Sequence, residues 1–282
     1  MSIIEDIKRR YITGNIVEKL ILINIGVFLL TIIAGLFNSY PGEINFIEEW
    51  LALDDNLDEL FSKPWAIISY GFLHADFKHI LFNCIALYFI GNLFTQYFTQ
   101  KQLLNFYLLG TLFGGIIYIF SQSFFPLFSG KTSYLVGASA GISAIFIGIA
   151  TYIPNYELKI RFIGYVKMWQ LAAVWIGLDI IGLVGENAGG NFAHLGGALF
   201  GFFYVNKASN KEINIFDKFF SLFKTKKKSP LKTVHKSKAK ASKTNTNLNQ
   251  QQVDEILDKI SKSGYDTLTK VEKEFLFKQG RK

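Results

Sequence analysis

The chain has 282 residues, of which 50% are hydrophobic, 16% aromatic and only 18% charged, with a formal net charge of +8. Soluble domains carry about 25% charged residues, and disordered chains hold few aromatic side chains, so both classes are excluded. The single cysteine, Cys84, excludes an internal disulfide and a thiolate zinc site.

The charges are unevenly spread. No Asp, Glu, Lys or Arg occurs in 20–37, 80–100, 102–130 or 132–156. A bilayer core takes about 20 apolar residues per helix, so these runs predict an all-α, multispanning membrane protein. The first run, Ile16–Leu36, follows Lys8, Arg9 and Arg10. It is too long for the apolar core of a signal peptide and lacks a small-x-small cleavage site, so it predicts a transmembrane helix. The loop 38–63 is acidic, with Glu43, Glu48, Glu49, Asp54, Asp55, Asp58 and Glu59 against Lys63. Trp50 in this loop and Trp65 just after it suit a membrane interface. Further spans are predicted over 79–98, 103–121, 135–153, 167–184 and 190–206, which makes a six-helix bundle over 16–206.

Lys and Arg in short loops set orientation. With the N-terminus, 1–15, inside, the inner segments hold Lys8, Arg9, Arg10, Lys101, Lys159, Arg161 and Lys167, and the outer ones Lys63 and Lys131. Both termini are therefore expected in the cytoplasm.

After Asn206 the composition changes. Residues 207–243 hold 12 Lys against Glu212 and Asp217, a local charge of +10 that exceeds the whole-chain value. Residues 207–252 read as a basic juxtamembrane segment and linker. Ile215–Phe223 has a Phe-rich face suited to lying in the interface, and 224–252 has the composition of disordered chain. Membrane lipid is the expected partner of this segment and nucleic acid is not, because basic chain beside a membrane is attracted to anionic headgroups. Helical periodicity returns in 253–282, with Val253, Ile256, Leu257 and Ile260 on one face. Gly264 breaks that helix, and Thr269 with Glu272 forms a capping-box signature for a second, carrying Val271, Phe275 and Leu276. So small a helical module suits docking of a protein partner or regulation.

Polar groups inside a membrane are costly and need a reason. His79 and Asn83 lie four apart on one predicted helix, with His74 just before. Ser139 stands near the start of the fourth span, His194 near the start of the sixth and Asp179 in the fifth. Spans two, four and six enter from the outer face, so His79, Ser139 and His194 share a depth a few ångströms below that surface. Small residues flank two of them: Gly137, Ala138, Ala140, Gly141 and Ser143 around Ser139, and Gly190, Ala193, Gly196, Gly197, Ala198 and Gly201 around His194. Such faces let helices approach closely, and on their own they read as packing. With a histidine at matched depth they also allow Ser139 as nucleophile and His194 as base.

The pattern His74-x4-His79-x3-Asn83, then Gly137-Ala138-Ser139, then Ala193-His194-Leu195-Gly196-Gly197 resembles the rhomboid family of intramembrane serine proteases over residues 16–206. The resemblance implies a six-helix core and a Ser–His dyad opening to water on the non-cytoplasmic side. It implies Ser139 as nucleophile and His194 as general base. The oxyanion donors would be His79, Asn83 and the Ser139 backbone N–H. His74, Gly137 and Gly141 would support the site, and the acidic loop would match the family's membrane-embedded first loop. Three positions depart from the family pattern. Ala140 stands where the last Gly of GxSG belongs, Ser143 where a Tyr stacks on the catalytic His, and Ala66 where an Arg follows Trp65.

The expected reaction is hydrolysis of transmembrane segments that unwind near their outer end, with no cofactor. A dyad is expected rather than a triad, and Asp179 is expected to make a helix–helix hydrogen bond. The alternatives are an inactive rhomboid-like protein that binds membrane segments and, on the strength of Asp179, a transporter. Metal-dependent proteolysis lacks an HExxH motif, and an aspartyl mechanism lacks a second intramembrane Asp.

Overall fold

Asn15 opens the first long helix, α1 (Ile16–Gly35), by a capping box in which its side chain accepts from the Glu18 N–H while Glu18 reaches back to the Asn15 N–H. In the computed structural model, residues 5, 12–38, 40, 44–128, 133–208 and 243–279 are described, the side chains of 206–208 and 243–251 excepted. The expected interface helix at 215–223 and the basic residues Lys8, Arg9, Arg10 and Lys131 lie outside them. The chain divides into two units, 1–224 and 225–282.

In the first unit, α1 is followed by three short helices, α2 (Phe46–Leu51), α3 (Leu57–Ser62) and α4 (Ala66–Ser69). Then come α5 (Phe77–Phe94), α6 (Gln100–Phe124), α7 (Ser139–Tyr152), α8 (Met168–Gly182) and α9 (Ala188–Ala208). Of the expected spans, α1, α5 and α6 are long and apolar enough to cross a bilayer, while α7 and α8 are shorter apolar helices. The fold is mostly helical rather than all-α. Strand β1 (Leu53–Asp54) pairs antiparallel with β2 (Tyr134–Leu135), and β3 (Glu157–Ile160) with β4 (Gly164–Lys167).

The first pairing corrects one boundary. The apolar run at 135 predicts a span from that residue, but Leu135 is paired with Leu53 and the helix begins only at Ser139. Gly137 separates the two, at φ 132°, a backbone region that side-chain-bearing residues avoid. At 14 residues, α7 rises only about 21 Å. Val136 and Gly137, in the extended stretch ahead of it, line a cavity.

Buried tyrosines fasten the short elements to the bundle. Tyr70 Oη donates to the Thr111 carbonyl at 2.6 Å, and Tyr107 Oη donates to the Gly71 carbonyl at 2.7 Å. Asn24 Nδ2 of α1 donates to Tyr107 Oη at 3.2 Å. Trp65 stacks on Trp50 with centroids 5.9 Å apart, and its indole N–H donates to the Trp50 carbonyl at 2.8 Å.

Helix α7 packs against α5, α6 and α9, and α9 also packs against α6. Every residue of α7 from Ala140 to Ala150 is buried. The closeness depends on Gly197 and Gly201 of α9, where a Cβ would collide with the carbonyl oxygens of Ala140 and Ala144. Ala140 itself fits because its methyl faces Gly114 of α6.

In the second unit, α10 (Lys243–Ser263) leads through a 3-10 turn to α11 (Lys270–Gln279). Residues 243–252 are therefore helical rather than linker. Their Thr, Asn and Gln side chains offer no apolar period by which a sequence pattern could detect the helix. Gly264 ends α10 at φ 81°, and the expected capping box joins Thr269 and Glu272, with the Thr269 N–H donating to Glu272 Oε2 at 2.7 Å. Lys259 Nζ lies 2.9 Å from Glu272 Oε1 and holds that carboxyl down to about 2.

Candidate active site

Ser139 is the first residue of α7, and the Gly137–Ala138 turn before it supplies no side-chain cap. The first N–H groups of the helix are therefore without intrahelical partners, and the positive end of its dipole lies at the serine. The Ser139 hydroxyl lies 2.6 Å from His194 Nε2 of α9. The small-residue contact between α7 and α9 brings the two together.

His79 and Asn83 stand on the first turns of α5. Asp76 caps that helix by accepting from the His79 backbone N–H at 2.9 Å, and this bond holds its carboxyl below the usual carboxylate range. The Ala75 N–H donates to His79 Nδ1 at 3.4 Å. That bond favours the tautomer with a proton on Nε2. A Cβ added to Gly137 would lie 2.8 Å from His79 Nε2 and 3.3 Å from Ser139 Oγ, so both atoms border one small space that only glycine leaves open. Asn83 Nδ2 donates to the His79 carbonyl at 2.8 Å, and its amide retains a second N–H. Ser139, His79, Asn83, Gly137 and His194 all line one cavity of about 770 Å³, together with Trp175 and the α8–α9 turn at 185–187.

Two expected supporting residues sit elsewhere. His74 is buried behind His79, ring edge towards ring, with centroids 5.0 Å apart. Gly141 faces α6, where a Cβ would come within 2.7 Å of the Tyr107 carbonyl oxygen, so it serves helix packing rather than the cavity wall.

A third side chain meets this pair. Asp179 Oδ1 of α8 lies 2.7 Å from His194 Nδ1, on the opposite side of the ring from Ser139. The expected helix–helix hydrogen bond of Asp179 is thus made, and its partner is His194. The expected shared depth involved only spans two, four and six, and the fifth, which carries Asp179, runs the other way in that scheme. In the predicted spans, Asp179 is five residues before the end of the fifth and His194 four after the start of the sixth. Counting from the turn places them level. Ser143, at the family's Tyr position, accepts from the Trp175 indole N–H at 3.1 Å, so the imidazole is held by Asp179 rather than by a ring from that position. Among the described residues, no three His, Cys, Asp or Glu side chains converge as metal ligands.

The family model of the Rhomboid domain matches residues 62–211, more than half of the chain. The chain belongs to the rhomboid family. A second model, for a family of unknown function, DUF6576, matches residues 242–279. Rhomboid-like protein 12, mitochondrial, of Arabidopsis thaliana is 29% identical over 195 residues, which cover 65% of this chain and 55% of that protein. Presenilin-associated rhomboid-like protein A, mitochondrial, of Danio rerio is 31% identical over 138 residues, covering 48% of this chain and 35% of the relative. Rhomboid-related protein 1 of Caenorhabditis elegans is 30% identical over 155 residues, covering 52% and 40%. The chain thus spans between about a third and a half of the length of these relatives. It is a rhomboid-family integral membrane protein.

Proposed function

We propose that this rhomboid is an intramembrane serine protease that hydrolyses transmembrane segments of other membrane proteins. The observation that carries the reading is the 2.6 Å contact between Ser139 Oγ and His194 Nε2 on the wall of a cavity that His79 and Asn83 also line. His194 takes the hydroxyl proton as Oγ attacks the scissile carbonyl. The oxyanion is held by His79 Nε2–H, an Asn83 amide N–H and the Ser139 backbone N–H. His194 then protonates the leaving amine, and a water activated by the same imidazole releases the acyl group. His74, Gly137 and Gly141 support this arrangement, His74 from behind His79 and the glycines through the approaches described above.

In this reading residues 16–206 form six spans, with α7, α8 and α9 completing the set begun by α1, α5 and α6. Both termini are cytoplasmic, and the cavity opens to the other side. Residues 1–15 form a cytoplasmic N-terminus, 207–242 a basic segment drawn to anionic lipid, and the helices from Lys243 onwards a module that takes a protein partner. Substrates unwind near their outer end, because a stable helix hides its carbonyls.

The test is cleavage of a transmembrane substrate by the full chain in liposomes. Ser139→Ala and His194→Ala should each abolish turnover while the helical content is kept. Wild-type turnover in Ser139→Ala would overturn the assignment of the nucleophile, and absence of cleavage by the wild-type chain would leave an inactive rhomboid-like binder of membrane segments.

A further inference from the structure

We propose that Asp179 is the positioning residue for His194, so that Ser139, His194 and Asp179 act as a triad whose third member comes from α8. The proposal rests on the serine protease reading above. An imidazole can take the Ser139 proton on Nε2 only if its own proton is on Nδ1, and that proton then needs an acceptor. Asp179 Oδ1, 2.7 Å away, is that acceptor. When the Ser139 proton arrives, the ring becomes a cation between its two partners. A carboxylate in a low-dielectric site stabilises this cation far more than a neutral acceptor would. The only proton transferred is the one that leaves Ser139, and Asp179 takes none.

The choice of residue argues against a purely structural tie. A serine, threonine or asparagine joins two membrane helices at a smaller desolvation cost than a carboxylate. Asp179 is 6% exposed, and its second oxygen, Oδ2, is buried and accepts no hydrogen bond from the described residues. Half of its acceptor capacity is thus left unused by the described residues, more than a static helix–helix link calls for. The charge has a use once His194 carries a proton.

The rest of α8 is arranged to aim this residue. Only Met168 and Asp179 of the helix are buried. Trp175, one turn before Asp179, fixes the helix's rotation against α7. Its indole N–H donates to Ser143 Oγ at 3.1 Å, and its ring meets Phe146 edge-on with centroids 5.2 Å apart.

The experiment compares Asp179→Asn with wild type and Ser139→Ala, all full-length and in the same liposomes. Asparagine keeps the size and removes the charge. The expected result is a fall in kcat of about 10²- to 10⁴-fold, with KM within about three-fold, since substrate does not touch Asp179. A variant that melts earlier yet keeps wild-type kcat would overturn the proposal and leave Asp179 as a structural tie. Wild-type turnover in Ser139→Ala would instead overturn the underlying protease reading. A second measurement needs no substitution at Asp179. In wild-type protein labelled with 15N-histidine, the signal of His194, identified by its response to phosphonylation of Ser139, should show neutral imidazole protonated at Nδ1. Protonation at Nε2 would overturn the proposal even if Asp179→Asn failed to fold.

Discussion

Helices α7 and α8 are neighbours of similar length, 14 and 15 residues, and both are almost wholly apolar, yet they are held in opposite ways. Eleven residues of α7 are buried. In α8 only Met168 and Asp179 are, while Val174, Leu178, Ile180 and Ile181 are all more than half exposed. In a bilayer such side chains face lipid at no cost, so apolarity does not fix where α8 sits or how it is turned. Packing against small residues fixes α7, and with it Ser139. What fixes α8 is a small number of polar atoms, the Trp175 indole and the Asp179 carboxylate. The proposed nucleophile is thus built on the most constrained helix of the bundle, and the group proposed to aim its base on one of the least constrained.

Substitutions at two glycines test this contrast most severely. At Gly197→Val the new side chain meets the Ala140 carbonyl and must part α9 from α7. Overpacking costs about 1–3 kcal/mol or more, and the parting separates His194 from Ser139. Loss of cleavage with a lowered melting temperature is expected. At Gly177 of α8 a Cβ meets nothing within 4 Å, so Gly177→Ala should leave turnover unchanged and gain at most about 1 kcal/mol of helix stability. Equal effects at the two glycines would break the comparison.

Asn83→Ala probes the opposite wall of the cavity. If the free Asn83 N–H stabilises the oxyanion, turnover should fall about 10- to 1,000-fold with a smaller change in KM. An unchanged kcat would leave Asn83 only its bond to the His79 carbonyl. The smallest effect is expected at the C-terminus. Every residue of the proposed site precedes Asn206, and the chain beyond Lys224 forms a separate unit. Truncation after Asn206 should change membrane-surface association, which weakens as salt rises, while the cleavage rate in liposomes stays within about three-fold. A folded but inactive truncated protein would show that the tail belongs to the catalytic machinery.

Ser139, His79, Asn83 and His194, which line one cavity, stood out in the sequence because each is a polar group in a run that holds few. The start of α7 did not, because hydropathy is blind to conformation. Leu135 is as apolar in a strand beside Leu53 as it would be in a helix. The β3–β4 hairpin did carry a signal, since Glu157, Leu158, Lys159 and Ile160 alternate in polarity and in burial, the period of a strand. Asp179 was visible as a residue but not as a partner. Its role depends on which face of α8 turns inward, and a helix apolar all round does not declare a face.

The account's central claim is that the Ser139 hydroxyl is an activated nucleophile. The most direct measurement treats the full-length protein in liposomes with a fluorophosphonate and maps the adduct by mass spectrometry. A single adduct on Ser139 is expected, absent from Ser139→Ala and strongly slowed in His194→Ala. Labelling of wild type no faster than of His194→Ala, or an adduct on another serine, would contradict it.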